Sequence, residues 1–365
     1  MSDRDDGDPA GDYAVRSDWT RSQGSLNYSS FVYFDVNRDG RYSVGDRPMG
    51  GIRVRLLKDG RNVASTRTNT NGFANFSTST RSKRAPIHHP GDYAFEVSVP
   101  DGWAATGGGA RQVKEFKPIP GSISGVGTDE MLQPVGLAPD RVVGGRLASG
   151  ARLSVEALSG ETVVEKIEIT GQPGFRYRVP DVADAVDLSV AGWKRRLDSL
   201  AYPIDLGLVD PARRPLDPGR TVQTTGFDDV NSRGLRKIPS GHAGLNWFNL
   251  NAMARDFSGS TQGYVNGNTS GDWIAYTSSG HPAEVYADEP FDFIGVHLSA
   301  AWLNSEGETG KIEAWRGDSL VASDTVVLSA LTPVYYSPML PDVTRVRFST
   351  EHYWQMVLDD LVIAR

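Results

Sequence analysis

Between Asp35 and Asp46 the chain places side-chain oxygens at positions 1, 3, 5, 9 and 12 of a twelve-residue stretch: Asp35, Asn37, Asp39, Ser43 and Asp46. Gly40 falls at position 6, where such a loop turns sharply, and Arg41 at position 7 offers its backbone carbonyl. Ca²⁺ is a hard cation that takes six to eight oxygens, and alternate positions of a tight loop point inwards. The stretch therefore reads as a Ca²⁺ loop. Position 12 is Asp rather than the bidentate Glu of a helical EF-hand. The flanks, residues 30–34 and 51–57, are rich in strand formers and do not pattern as amphipathic helices. This is a loop between strands. The alternative is an Asp-, Asn- and Gly-rich hairpin with no ion.

The rest of the composition says what must position such a loop. Forty Gly and 21 Pro punctuate short Val-, Ile-, Tyr- and Phe-rich runs over 365 residues, which predicts an all-β chain of two or three domains. With no cysteine, disulfides, thiolate zinc sites and cysteine nucleophiles are excluded together. A net charge of −7, without a basic patch interleaved with aromatics, argues against nucleic acid as a partner. No run approaches the roughly 18 apolar residues of a membrane span, and Met1–Asp8 lacks the apolar centre of a signal peptide.

Taken in order, residues 1–26 are polar and read as a disordered lead-in. Residues 27–134 form the first predicted domain. Asp59-Gly60 and Asn71-Gly72 are turn signals, and Tyr93, Phe95, Val97 and Val99 alternate along one strand face. The run from Val32-Tyr33-Phe34-Asp35 through Asp39-Gly40, Gly51-Ile52, Asn71-Gly72-Phe73 and Gly91 to Val97 resembles the B-type domain of bacterial surface adhesins. The nearest subgroup is the calcium-binding repeat of serine-aspartate-rich adhesins. That resemblance implies a small Greek-key β-sandwich with structural Ca²⁺, used as a stalk. The basic insert from Arg81 to His88-His89 departs from the family pattern and reads as an exposed loop.

Residues 135–218 read as a second small β-sandwich ending in a stiff Pro-rich linker, Pro211–Pro218. Its closing segment, Pro203–Pro211, weakly echoes Pro134–Pro139 at the end of the first domain. Residues 219–365 carry five of the eight Trp: Trp247, Trp273, Trp302, Trp315 and Trp354. The segments around Phe227-Asp228-Asp229, Ile238–Trp247, Phe291–Trp302 and Val357–Ile363 resemble jelly-roll carbohydrate-binding modules of secreted bacterial proteins. The fold expected overall is two small Greek-key β-sandwiches followed by a jelly-roll β-sandwich.

What the second resemblance implies is a structural Ca²⁺ shared by acids on the first and last jelly-roll strands, here Asp229 (or Asp228) and Asp359. An edge salt bridge or simple solvent exposure is the alternative. Sugar binding needs flat aromatic faces with polar groups at the rim. Trp247 with Asn246 and Asn249, Trp273, and Tyr353-Trp354 supply those groups, although a strand Trp is more often core than platform. Trp302 and Trp315 are assigned to the core. Together these readings describe an extracellular or cell-surface, calcium-stabilised protein that binds a glycan or other surface polymer. Two rivals stay open: a polysaccharide-degrading hydrolase or lyase, since paired carboxylates abound without one pair standing out, and a purely structural surface-layer or matrix component.

Overall fold

A computed structural model describes residues 26–79, 84–121, 125–170, 174–191, 193–230, 234–255, 257 and 262–365. Nearly all of the predicted lead-in and part of the basic insert lie outside the described residues. The protein is all-β, as its turn-rich composition requires, with one short α-helix, Gln262–Asn266, among the described residues. No helix there is long and apolar enough to cross a membrane. Two compact units divide the chain, Met1–Pro139 and Asp140–Arg365.

The first unit is a two-sheet sandwich. One sheet orders Arg47–Pro48, Leu26–Phe34, Val135–Pro139 and Trp103–Gly107, with Phe73–Thr78 also paired to Leu26–Phe34. The other orders Arg61–Arg67, Arg53–Lys58, Gly91–Val97, Arg111–Pro118 and Val126–Gly127. Period-two patterning sends Val54, Leu56, Phe76 and Phe95 inward, with residues such as Arg53, Arg55, Asn75 and Glu96 turned the other way. Phe76 and Phe95 meet edge to face across the sheets with ring centroids 5.7 Å apart. Val135–Pro139 runs parallel to Leu26–Phe34, pairing Val32 with Val135, so it closes this unit and does not open the next.

The second unit begins with the same sequence of moves. Val142–Leu147 pairs antiparallel with Phe175–Arg178 and parallel with Ile204–Val209. Facing them is the sheet Thr162–Thr170, Arg152–Ser159, Ala185–Val190 and Trp193–Leu197. Leu153, Val155, Val186, Leu188 and Leu206 fill the space between.

Residues 219–365 continue this unit. Ile204–Val209 is extended by Val334–Tyr336 through a parallel pairing of Ile204 with Tyr335, so one sheet passes from the small sandwich into the larger one. The larger sandwich is organised on the long strand Ala283–Ala300. Its first half pairs with Leu340–Thr350 and its second with Met356–Ala364, with register shifts around Phe291 and Gly295 where it changes partners. Phe291, Phe293, Leu298, Phe348, Leu358 and Ile363 build the core. Val222–Thr225 lies antiparallel to Met356–Ala364, so the first and last strands are neighbours, as expected.

Candidate metal centre and aromatic surface

The Asp35–Asp46 loop leaves the sheet directly after Phe34. The Asp35 amide donates to Leu137 O at 3.0 Å, which ties the start of the loop to the closing strand. Gly40 has φ +77°, and a Cβ there would lie 2.7 Å from Thr106 O, so only Gly permits the turn against the strand Trp103–Gly107. Asp35 Oδ2 accepts from the Gly40 amide at 2.9 Å. Asp46 Oδ1 accepts from the Val36 amide at 3.0 Å, and Oδ2 from the Ser43 amide and hydroxyl at 2.8 and 3.1 Å. Asn37 Oδ1 accepts from the Asp39 amide, while Asp39 Oδ1 accepts from the Arg41 amide.

These bonds bring carboxylate oxygens of Asp35, Asp39 and Asp46 within 4.8 Å of one another. Like charges so close repel strongly away from bulk water. Burial, and secondarily Asp35, raises the Asp46 carboxyl above the ordinary carboxylate value. The Tyr33 hydroxyl beneath is pushed well up by burial and by Asp35, Asp46 and Asp39. Asp35 is wholly buried, and its Oδ1 has no hydrogen-bond partner among the described residues. A buried carboxylate oxygen without a donor is costly. The donor set of hard oxygens around that orphaned atom fits a hard divalent cation. Asn37, Ser43 and the Arg41 carbonyl belong to the same loop, with Asn37 Nδ2 3.5 Å from Ser43 Oγ.

The second predicted site, the acids Asp229 (or Asp228) and Asp359, forms no such cluster among the described residues. Asp359 is buried, and its Oδ2 already accepts from the Thr269 amide and hydroxyl and the Ser270 amide at 2.6, 2.9 and 3.1 Å. Its Oδ1 accepts from the Asp360 amide. Burial, then the neighbouring Asp360, raises its pKa to about 7. Asp228 instead accepts from the Asp272 amide at 2.7 Å, and Asp229 is exposed with His242 Nε2 at 3.8 Å. Strand pairing does bring the two ends of the sandwich together, but the turn Thr269–Asp272 occupies the place between their acids.

The aromatic candidates divide sharply. Trp247 and Trp273 are buried in the core, with Trp247 Nε1 donating to His242 O at 3.0 Å; neither offers a free ring face. Asn249 spends its amide on the carbonyls of Ser278, His281 and Pro282, and Asn246 Oδ1 accepts from Ser240, so both are turn-holding groups. Tyr353 and Trp354, by contrast, are 65% and 37% exposed. Their loop is held from below: buried Glu308 Oε1 accepts from the Glu351 and His352 amides at 3.0 and 3.2 Å, and Thr350 donates to Trp354 O at 2.7 Å. Tyr353 sits at φ +59° and packs against His281 with centroids 5.7 Å apart.

Trp302 corrects its assignment to the core. It is 41% exposed, because it follows the strand Ala283–Ala300 and caps the turn Leu303–Ser305. Its Nε1 donates to Gln355 Oε1 at 3.3 Å, next to Trp354, and Tyr264 donates to the same oxygen. Asn304-Ser305 and Gly307 after it are the sequence signals for a turn at this position.

No family model matches the chain, and no curated protein does. Among solved structures, the shaft pilin SpaA from Lactobacillus rhamnosus GG is 12% identical over 52% of this chain and 99% of its own, with a TM-score of 0.23. The CBM22-1–GH10 modules of Clostridium thermocellum xylanase 10B are 14% identical over 42% of this chain and 29% of theirs, with a TM-score of 0.22. The M60 catalytic domain with CBM51-1 and CBM51-2 from Clostridium perfringens ZmpB is 11% identical over 94% of this chain and 34% of its own, with a TM-score of 0.24. The neighbours thus include pilin and carbohydrate-binding-module proteins, and at these scores the likeness carries no argument about activity.

Proposed function

We propose that this is an extracellular or cell-surface protein whose first sandwich is stiffened by Ca²⁺ and whose last sandwich binds a glycan. Asp35, Asn37, Asp39, Ser43, Asp46 and the Arg41 carbonyl would hold the ion, which supplies positive charge where three acids converge. The observation that carries the binding half is the loop Glu351–Gln355, pinned from beneath by Glu308 while Tyr353 and Trp354 stand in water. Exposing ring faces costs hydrophobic free energy, and holding them rigid lowers the entropy lost on binding a flat partner. A pyranose ring presents an apolar C–H face of matching size, and His352 and Gln355 flank the rings as hydrogen-bonding groups.

The test is a glycan array probed with the full chain and with a Tyr353→Ala/Trp354→Ala double variant. Signal on a subset of glycans, lost in the variant, supports the reading. Binding that persists unchanged in the variant would move the site elsewhere. The enzyme rival has less to build on. Asp359 has a pKa raised to about 7, in the range of a general acid, but it is wholly buried beneath Thr269 and Ser270.

A further inference from the structure

A second site lies where the small sandwich of the second unit meets the larger one. Trp193, Leu206, Leu216 and Met339 line a pocket into which Arg195 and Arg213 also reach. Arg195 donates through Nη1 to Ser337 O at 3.0 Å and through Nη2 to Ser337 Oγ at 2.5 Å. Arg213 donates through Nη1 to the next carbonyl, Pro338 O, at 2.9 Å. Two guanidinium groups therefore converge on two consecutive residues in a largely apolar setting.

Neither guanidinium is directly ion-paired among the described residues, whereas the neighbouring Arg214 has Asp342 at 2.6 Å. The one acid on the pocket wall, Asp210, is turned to the Ala212 amide at 2.9 Å. Burial lowers the pKa of both arginines, and on Arg213 the charges of Asp324 and Asp210, beyond ion-pair distance, offset only part of that. A guanidinium has five N–H donors, and the carbonyl and hydroxyl contacts use two on Arg195 and one on Arg213. The pocket's free volume, about 30 Å³, has room for a couple of waters or the charged end of one ligand.

We propose that Arg195 and Arg213 form a binding site for a small oxyanion, a carboxylate or sulfate group, with the rim formed by Trp193 and Met339 taking the apolar body that carries it. Planar guanidinium forks suit such groups because two parallel N–H donors meet two oxygens. The site is separate from the Tyr353-Trp354 surface and does not depend on it.

The experiment is calorimetric titration of the full chain with galacturonate, with sodium sulfate, and with galactose as the neutral control, at matched ionic strength. Saturable binding of at least one anion, absent for galactose, is expected. Galacturonate alone would identify an acidic saccharide as the source, and sulfate alone a free ion. Arg213→Gln should weaken binding at least about tenfold, near 1.4 kcal/mol, and Arg213→Lys, which keeps the charge and loses the fork, by less. Arg196→Gln, on the exposed face of the same strand, should leave it unchanged. Circular dichroism checks that each variant is folded; if Arg213→Gln is not, Arg213→Lys decides alone. No saturable anion binding, or binding equal in the wild type and the folded Arg213 variants, would overturn the proposal.

Discussion

The two small sandwiches share an opening strand, a following hairpin and a parallel closing strand, yet finish one edge differently. In each, the opening strand pairs with a closing strand parallel to it: Val135–Pro139 on Leu26–Phe34, and Ile204–Val209 on Val142–Leu147. In the first, the far side of the closing strand takes Trp103–Gly107 from its own chain segment, and the acidic loop packs on that strand through Gly40 and Gly107. In the second, a turn of four residues, Ala148–Ala151, replaces the acidic loop. There the closing strand pairs instead with Val334–Tyr336 of the larger sandwich. An exposed edge needs a partner. One meets that need locally with Trp103–Gly107, against which the acidic loop packs, the other by sharing a sheet with its neighbour.

The largest effect should come from breaking the local solution. Asp35→Asn removes the buried charge around which the loop is built. At Ca²⁺ about a thousandfold above Kd, binding stabilises a folded unit by about 4 kcal/mol. The variant should lose most of that, read as the calcium-dependent part of the first unit's melting temperature. An unchanged calcium response would place the ion elsewhere.

Breaking the fused solution comes next. Asp324 is buried, bound by Arg146 of the small sandwich and by the Tyr336 hydroxyl at 2.7 Å. Arg146→Met leaves that carboxylate without its cation, at a cost on the order of 3 kcal/mol. Urea unfolding should show the loss in the second unit, equal with and without Ca²⁺. A loss that Ca²⁺ repairs would contradict the division of labour.

The third effect is pH-dependent. The folded pKa of Asp359, about 7, lies above the ordinary 3.8. Between those values the folded state holds a proton that the unfolded chain has released. The second unit is therefore fully stabilised by this group below that window and loses stability as pH rises through it, by at most about 1.4 kcal/mol per pH unit. Asp359→Asn should flatten the slope of melting temperature against pH; an identical slope would remove Asp359 from the account. The smallest effect belongs to Tyr353→Ala, a surface change expected within about 0.5 kcal/mol of wild-type stability. A large loss in thermal unfolding would make that ring a packing residue.

Much of this architecture was legible in residue order. Alternation gave the strands, the oxygen spacing marked Asp35–Asp46, and the weak echo of Pro134–Pro139 in Pro203–Pro211 proved to mark two closing strands in equivalent places. The echo's meaning was not legible, because parallel pairing joins residues far apart in the chain, Val32 with Val135 and Val143 with Ile204, and leaves no local trace. For the same reason the expected break at 134/135 falls before a strand that belongs to the first unit, and residues 135–218 and 219–365 share one sheet. Trp247 and Trp302 changed places, since composition says that a Trp is present but only packing says which side of it meets water. Asp359 lies on the last strand and Asp229 in the turn just beyond the neighbouring first strand, and the turn at Thr269–Asp272 that binds Asp359 and Asp228 could not be read from either end.

The central claim is that only the first sandwich depends on a cation. Differential scanning calorimetry of the full chain, in millimolar CaCl₂ and again in EGTA, tests it most directly. The account predicts two transitions, one moving up by several degrees with Ca²⁺ and lost from that response in Asp35→Asn, the other fixed. A calcium shift in the transition of the second unit, or none in either, would contradict it.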